Sequence, residues 1–135
     1  KKDNNVILYF DSDINILIDE KVEINNLTFY GFPWQPFFYN WAFNLNEKEM
    51  YEKVSEMPKN IDVLISHGPI YNVLDIASDG LLCGCKNLEN YVINNTPKLH
   101  VFGHIHHSYG YKKINNDKTL SVNASVLNDD YKFIK

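Results

Sequence analysis

Arginine is absent from this chain of 135 residues, and lysine supplies all 13 of its basic side chains. A bound phosphate group would therefore meet no guanidinium fork, and it would need a metal ion, imidazole, lysine or backbone N–H groups instead. The 17 carboxylates outnumber the lysines and give a net charge of −4. This balance predicts neither a basic patch for nucleic acid nor attraction to an anionic membrane.

Cysteine is also scarce, because the chain has only Cys83 and Cys85, which flank Gly84. A zinc knuckle uses a two-residue spacer and a second cysteine pair, and this chain has neither. We therefore expect two reduced thiols in a cytoplasmic protein. A structural zinc site that combines these thiols with histidines is the less favoured alternative.

Long apolar runs are missing too: none approaches the roughly 18 residues of a membrane span, and the start of the chain shows neither a signal peptide nor a basic presequence. The first residue is Lys1 rather than Met, so we expect a fragment or a processed product. An apolar fraction of 44% at this length predicts one globular domain over residues 1–135.

Alternating apolar residues predict strands at both ends of the chain. The alternation over residues 14–29 predicts a three-strand antiparallel meander, and the prolines in residues 31–36 predict an irregular loop. After His107 we expect two further strands around residues 116–117 and a terminal strand over residues 131–134.

Two helices are predicted between these strands. Asn46, followed three residues later by Glu49, matches a capping box, and Pro58 should end the helix that begins there. A second helix is expected over about residues 86–95, with Pro97 beyond its end.

Two apolar runs lead directly into histidines. Val63–Ser66 precedes His67, and Leu99–Phe102 precedes Gly103 and the pair His104 and His106. Roughly thirty residues separate the runs, which is enough for a crossover between parallel strands. Parallel neighbours would bring all three histidines to one carboxyl edge, where open α/β sheets bind ligands. Because imidazole is the commonest metal ligand, these three are candidate ligands.

The remaining histidines are expected to differ in role. His104 and His106 are two apart, so in an extended segment both rings would lie on one side and serve one metal or two adjacent metals. His100 lies inside the predicted strand and is expected to be structural. His107 would point away from the pair, as a solvated residue or one that supports the ligands.

Aromatic side chains are concentrated in residues 34–43, which contain Trp34, Phe37, Phe38, Tyr39, Trp41 and Phe43. Most are expected to pack in the core or within the loop. Trp34 lies between two prolines and suits no regular core element. A flat ring there, beside a metal site, could stack on a nucleobase or an aryl group.

Two short motifs carry a specific resemblance. The segments Ile65-Ser66-His67-Gly68-Pro69 and Gly103-His104-Ile105-His106 resemble the last two metal-binding motifs of the calcineurin-like metallophosphoesterases. Residues 30–36, 40–45, 97–106 and 122–125 resemble one branch of that family, the metallophosphoesterase-domain proteins. The resemblance runs in order from about residue 15 to residue 125.

The resemblance implies an α/β fold, part of a two-sheet β-sandwich flanked by helices, of which residues 1–135 would be the C-terminal part. It implies a hydrolase with two divalent transition metal ions, Mn, Fe or Zn, in the full-length protein. His67 and His104 would bind one ion and His106 the other. The substrate would be a phosphodiester such as a cyclic nucleotide, contacted by Trp34 and by Asn123 of the matching segment 122–125.

The family's first three motifs, Asp-x-His, Gly-Asp-x-x-Asp and Gly-Asn-His-Asp/Glu, are absent, and Asp11-Ser12-Asp13 does not replace them. The bridging aspartate, the asparagine ligand and the general-acid histidine are therefore missing, and no catalytic residue is assigned. We expect the chain alone to be inactive and to need the N-terminal half of the domain or a homo-oligomer. The alternative is a non-catalytic remnant that acts as a binding or interaction module.

Overall fold

The computed structural model describes residues 14–134. Along this part of the chain the elements are β1 (Glu20–Ile24), β2 (Leu27–Phe32), β3 (Gln35–Pro36), β4 (Asn44–Leu45), α1 (Glu47–Ser55), β5 (Val63–Ser66), α2 (Lys86–Asn95), β6 (Leu99–Phe102), a short 3-10 helix (His106–Ser108), β7 (Gly110–Ile114) and β8 (Thr119–Asn123). The predicted α/β class is confirmed. The paired carboxylates at Asp11 and Asp13 lie outside the described residues.

The main sheet has six strands in the order β1-β2-β5-β6-β8-β7. Its four central strands are parallel, and the edge strands β1 and β7 are antiparallel to their neighbours. Helix α2 lies in the crossover between β5 and β6, as the spacing of the two apolar runs predicts. Strands β3 and β4 pair separately as a short parallel ribbon.

The hydrophobic core lies between this sheet and the two helices. Tyr30 and Leu64 contribute from the sheet, Met50 from α1, and Leu88 and Val92 from α2. Leu64 and Val92 have no exposed surface. Burial of large apolar side chains contributes about 1.5–3 kcal/mol each, so this contact holds the helices on one face of the sheet.

Both helices form where the local signals predict them. At the start of α1, Asn46 Oδ1 accepts from the Glu49 N–H at 3.0 Å, and the Glu49 carboxylate accepts from the Asn46 N–H at 2.9 Å. This capping box satisfies N–H groups that the first turn leaves unpaired. Helix α2 covers the predicted residues, and Thr96 ends it with a positive φ of 44°.

The predicted three-strand meander is wrong in its first strand. Residues 14–19 form no strand. Leu17 lies against Gly31, so closely that a Cβ on Gly31 would clash with the Leu17 carbonyl oxygen and Cβ. Asn25 and Asn26 both have positive φ and form the hairpin turn between β1 and β2.

Two other strand boundaries also differ from the prediction. Residues 31–36 are not all irregular, because β2 continues through Phe32 and β3 pairs with β4. Residues 131–134 form no strand. Only Leu127 and Phe133 make a bridge, across a turn in which Asn128 Oδ1 accepts from the N–H groups of Asp130 and Lys132 at 3.0 and 2.9 Å. In residues 14–134 no helix is long and apolar enough to cross a membrane.

Candidate metal centre

His67 and His104 lie side by side at the carboxyl edge of the sheet. His67 follows β5 directly, and His104 follows β6 after one glycine. Because β5 and β6 are parallel neighbours, both strands deliver their histidines to the same edge. The ring centroids are 4.6 Å apart, and the Gly103 N–H donates to the His67 carbonyl at 3.0 Å. The structure thus brings this predicted pair together.

The segment that carries His104 and His106 is a tight turn, so the expectation of an extended segment is wrong. The Ile105 N–H donates to the Gly103 carbonyl at 2.8 Å, and His106 begins the 3-10 helix. His104 itself has a φ of 69°, a conformation that non-glycine residues seldom adopt. Such backbone strain is typical of functional sites, where surrounding contacts maintain it.

His106 is oriented by the C-terminal turn. Its Nδ1 lies 3.1 Å from the Asn128 carbonyl oxygen. A carbonyl can only accept, so Nδ1 carries a proton, and in the neutral form of the ring Nε2 has the lone pair that a metal needs. The Tyr131 ring packs against the imidazole edge-on, with centroids 5.8 Å apart.

Burial keeps the paired imidazoles uncharged at neutral pH. It lowers the pKa of His67. Burial, together with the nearby rings of His67 and His106, lowers the pKa of His104 to about 4. Neutral imidazole is the form that binds metal ions, so no proton has to be displaced at neutral pH.

All three histidines line one cleft of about 1040 Å³. Aromatic rings line one side of it, and Phe38 and Trp41 each contact the His104 ring edge-on, with centroids 5.7 Å away. Trp41 is 53% exposed. The sequence did not identify Phe38 and Trp41 as neighbours of His104. The concentration of aromatic residues at 34–43 draws attention to this segment, but it does not show which ring faces the cleft.

Trp34 also lines the cleft, and a charged pair holds its ring in place. Its indole N–H donates to the Asp19 carboxylate, and the Lys53 ammonium lies 4.9 Å from the ring centroid. Lys53 also donates to Asp19 at 2.7 Å. One part of the ring therefore packs on a cation while another part faces the cleft.

Asn123, a candidate for substrate contact, is instead buried behind the histidine loop. Its amide donates to the carbonyls of Ile105 and Ser108 at 2.7 and 3.0 Å. Its Oδ1 accepts from the backbone N–H and the hydroxyl of Ser125. These contacts occupy its polar atoms, so they hold the loop around His106.

Neutral imidazole is a suitable ligand for a divalent transition metal, but three imidazoles are too few to complete the coordination of such ions. Two neutral rings converge, and a third presents a free nitrogen to the same cleft. Within residues 14–134 no group of three or more His, Cys, Asp or Glu side chains is arranged to hold one ion. A zinc ion usually takes four ligands, so these rings alone would leave it short of ligands.

The other candidate residues occupy separate positions. His100 is completely buried in the sheet, as expected for a structural histidine. His107 is exposed and lies 3.8 Å from the Asp129 carboxylate. Cys83 and Cys85 are both free thiols, and Cys85 caps α2 by accepting from the Leu88 N–H.

Known proteins share both the sequence and the fold. The sequence model of the calcineurin-like phosphoesterases matches residues 2–108. The human metallophosphoesterase domain-containing protein 1 is 42% identical over 118 residues, which cover 85% of this chain and 36% of that protein. The UPF0046 protein T07D4.2 of Caenorhabditis elegans is 38% identical over 120 residues, covering 84% and 30%.

The chain spans about a third of the length of these relatives. One solved crystal structure superposes with a TM-score of 0.55 at 18% identity, and the match covers 81% of this chain and 45% of that one. At that identity, the superposition shows a shared fold.

Proposed function

The chain belongs to the calcineurin-like phosphoesterase family, and from this membership we propose that residues 1–135 form the C-terminal part of a metal-dependent phosphodiesterase domain. One observation carries the proposal. Two neutral imidazoles, His67 and His104, lie 4.6 Å apart at the carboxyl edge of parallel strands, in a cleft that His106 also lines.

The proposed ligand sets follow from this placement. His67 and His104 would hold one divalent ion and His106 a second, with Mn, Fe or Zn as candidates. When bound, such a pair of ions would activate water and neutralise the charge of a phosphoryl group. The chain itself keeps His67 and His104 unprotonated by burial and presents His106 through Nε2. These imidazoles would bind the ions in a chain that has no arginine to bind phosphate.

The aromatic side of the cleft suits the organic part of a diester. We propose a nucleotide, such as a cyclic nucleotide, whose base stacks on Trp34, with Trp41 and Phe38 beside the phosphate. Asn123 would act indirectly, by holding the loop that carries His106. Both free thiols suit a reducing compartment, and we propose the cytoplasm.

Activity is proposed only for a completed domain. Three imidazoles divided between two ions leave both under-coordinated, and the relatives extend well beyond the matched region. The missing ligands would come from an N-terminal half of the domain or from a homo-oligomer.

A chimera tests this proposal directly. It joins the portion of the human relative that precedes the matched region to this chain. With Mn²⁺ it should hydrolyse bis-p-nitrophenyl phosphate, whereas the 135-residue chain alone should not. His104→Ala in the chimera should abolish turnover, and the exposed His107→Ala is the matched control. A folded chimera that binds Mn²⁺ without turnover would contradict the proposal.

A second candidate is a non-catalytic binding module of the same fold. The exposed rings favour it, since Phe37 and Tyr39 are each 74% exposed and offer stacking surfaces that need no chemistry. Nucleotide binding by the chimera without hydrolysis, unchanged in His104→Ala, would select this candidate.

A further inference from the structure

His100 is a polar side chain in the middle of the sheet with no exposed surface. It is paired with Leu64 of β5 on one side and Ser121 of β8 on the other, and its ring packs on Phe102 with centroids 4.7 Å apart. Burial of an imidazole is costly unless hydrogen bonds replace its contacts with water. The groups that His100 contacts should therefore show which role offsets the cost of burying its ring.

Those contacts form a chain of hydrogen bonds from His100 through Ser66 to Gly68, beside the candidate metal centre. We call this chain the relay. His100 Nε2 lies 2.8 Å from Ser66 Oγ, and the Ser66 hydroxyl donates to the Gly68 carbonyl at 2.7 Å. The hydroxyl has one proton and the carbonyl can only accept it, so the proton between the two side chains belongs to the imidazole. His100 is thereby fixed as the neutral tautomer that donates from Nε2.

The second ring nitrogen of His100 has no contact that would offset the cost of its burial. Nδ1 is buried and has no hydrogen-bond partner among residues 14–134, and the same is true of the neighbouring Ser121 hydroxyl. An apolar side chain would avoid the cost of burying Nδ1 unpaired. What such a side chain would lack is the Nε2–H donor that reaches Ser66.

The relay ends on the turn that carries His67. The backbone on either side of that turn is tied to the sheet, because the His67 N–H donates to the Phe32 carbonyl at 3.2 Å and the His67 carbonyl accepts from Gly103. Gly68 lies against His104, where an added Cβ would be 3.8 Å from the ring. The Gly68 carbonyl is therefore the third fixed point of the turn.

We propose that His100 is a positioning residue of the metal centre, which acts through Ser66 and Gly68 to hold His67 against His104. This role rests on the proposed function, since it concerns the geometry of two proposed ligands. Groups that orient metal ligands from outside the coordination shell typically change metal affinity by about 10–100-fold.

Zinc titrations of matched variants test the proposal. Isothermal titration calorimetry of the full chain with Zn²⁺ alone should show at least about tenfold weaker binding in Ser66→Ala than in the wild type. Ser121→Ala is the matched control, because it removes a neighbouring buried hydroxyl that is outside the relay, and its affinity should be unchanged. Both thiols remain in every variant, so zinc bound to them cancels in the comparison.

A second pair of variants separates hydrogen bonding from packing. His100→Gln can present an amide N–H near the position of Nε2, whereas the shorter His100→Asn cannot reach Ser66. We expect Gln to retain most of the zinc affinity and Asn to lose it, with circular dichroism confirming that both fold. Equal affinities in Ser66→Ala and the wild type would overturn the positioning role.

The relay can also be measured in the wild type. Long-range ¹H–¹⁵N correlations should show His100 as the neutral Nε2–H tautomer, and an Nδ1–H tautomer or an imidazolium ion would overturn the relay. A wild-type chain that binds no Zn²⁺ would overturn the positioning role, and the proposed function would be overturned with it only if the chimera also bound no Mn²⁺. A wild-type chain that binds Zn²⁺ as tightly as Ser66→Ala would overturn the positioning role alone.

Discussion

The indole N–H of Trp34 donates to both carboxylate oxygens of Asp19, at 2.8 and 2.9 Å. Asp19 adopts a left-handed φ of 55°, and its N–H donates to the Gly31 carbonyl at 3.1 Å. This contact connects the segment before β1 to the aromatic side of the cleft. It fixes the orientation of the Trp34 ring beside the cleft.

Asp19→Asn should therefore destabilise the protein. Asparagine tolerates the left-handed backbone, but it removes the charge that Trp34 and Lys53 share. Hydrogen bonds to a charged group contribute about 1.5–3 kcal/mol, so we expect a loss of about that size in urea unfolding, together with altered tryptophan fluorescence. Glu20→Gln, an exposed neighbour with the same charge change, should shift stability by less than about 0.5 kcal/mol. Equal effects of the two variants would refute a special role for Asp19.

Burial of His100 predicts a loss of stability in acid. It lowers the pKa of His100 to about 3, whereas the unfolded chain binds that proton near the ordinary value of 6.5. Between these values the unfolded state binds more protons, so the free energy of unfolding falls as pH falls below about 6.5, by up to about 1.4 kcal/mol per pH unit for this group.

His100→Gln isolates this contribution. His67 and His104 titrate in the same direction, so the wild-type slope contains all three histidines. Urea unfolding between pH 7 and pH 5 should give a shallower slope for the variant. Identical slopes would show that His100 takes up its proton in the folded state.

Loss of the Ser66 hydroxyl should lower the stability of the protein, whereas loss of the Ser121 hydroxyl should not. Ser66→Ala leaves the buried Nε2–H of His100 without an acceptor, which costs about 1–3 kcal/mol. Ser121→Ala removes a buried hydroxyl that has no partner in the described part of the chain, so stability should be unchanged or slightly raised. Thermal melts of the two variants at one pH compare them directly, and a larger loss in Ser121→Ala would contradict the hydrogen-bond assignment.

The second face of the sheet predicts association of the isolated chain. Ile65, Val101 and Val122 form a row across the parallel strands, on the side opposite Leu64 and the helices. Ile65 is 42% exposed. Light scattering at high concentration should show dimers or larger species, because an open apolar face favours association. A stable monomer with a cooperative melt would instead indicate a self-sufficient module.

Local sequence signals were enough for the helices and for the edge where the histidines meet. The capping box at Asn46 and the apolar runs before His67 and His104 act within a few residues, and parallel pairing then places the strand ends together. The packing of Leu17 on Gly31 could not be predicted in this way, because it depends on which strands become neighbours.

The support of the histidines was also beyond local reasoning. Asn128 reaches His106 across 22 residues, and Ser66 reaches His100 across 34. The left-handed backbone of His104 is imposed by the turn around it, since nothing in an isolated Gly-His-Ile-His motif requires it. Contacts of this kind appear only when distant segments are packed together.

The central claim is that His67, His104 and His106 bind divalent metal ions. X-ray absorption at the zinc edge of the zinc-loaded chain tests it most directly, because it reports the bound atoms themselves. We predict nitrogen neighbours at about 2.0–2.1 Å with imidazole scattering, which should be strongly reduced in a His67→Ala/His104→Ala double variant that retains only His106. Sulfur neighbours at about 2.3 Å in place of nitrogen, which would place the zinc on Cys83 or Cys85 instead of the histidines, would contradict it.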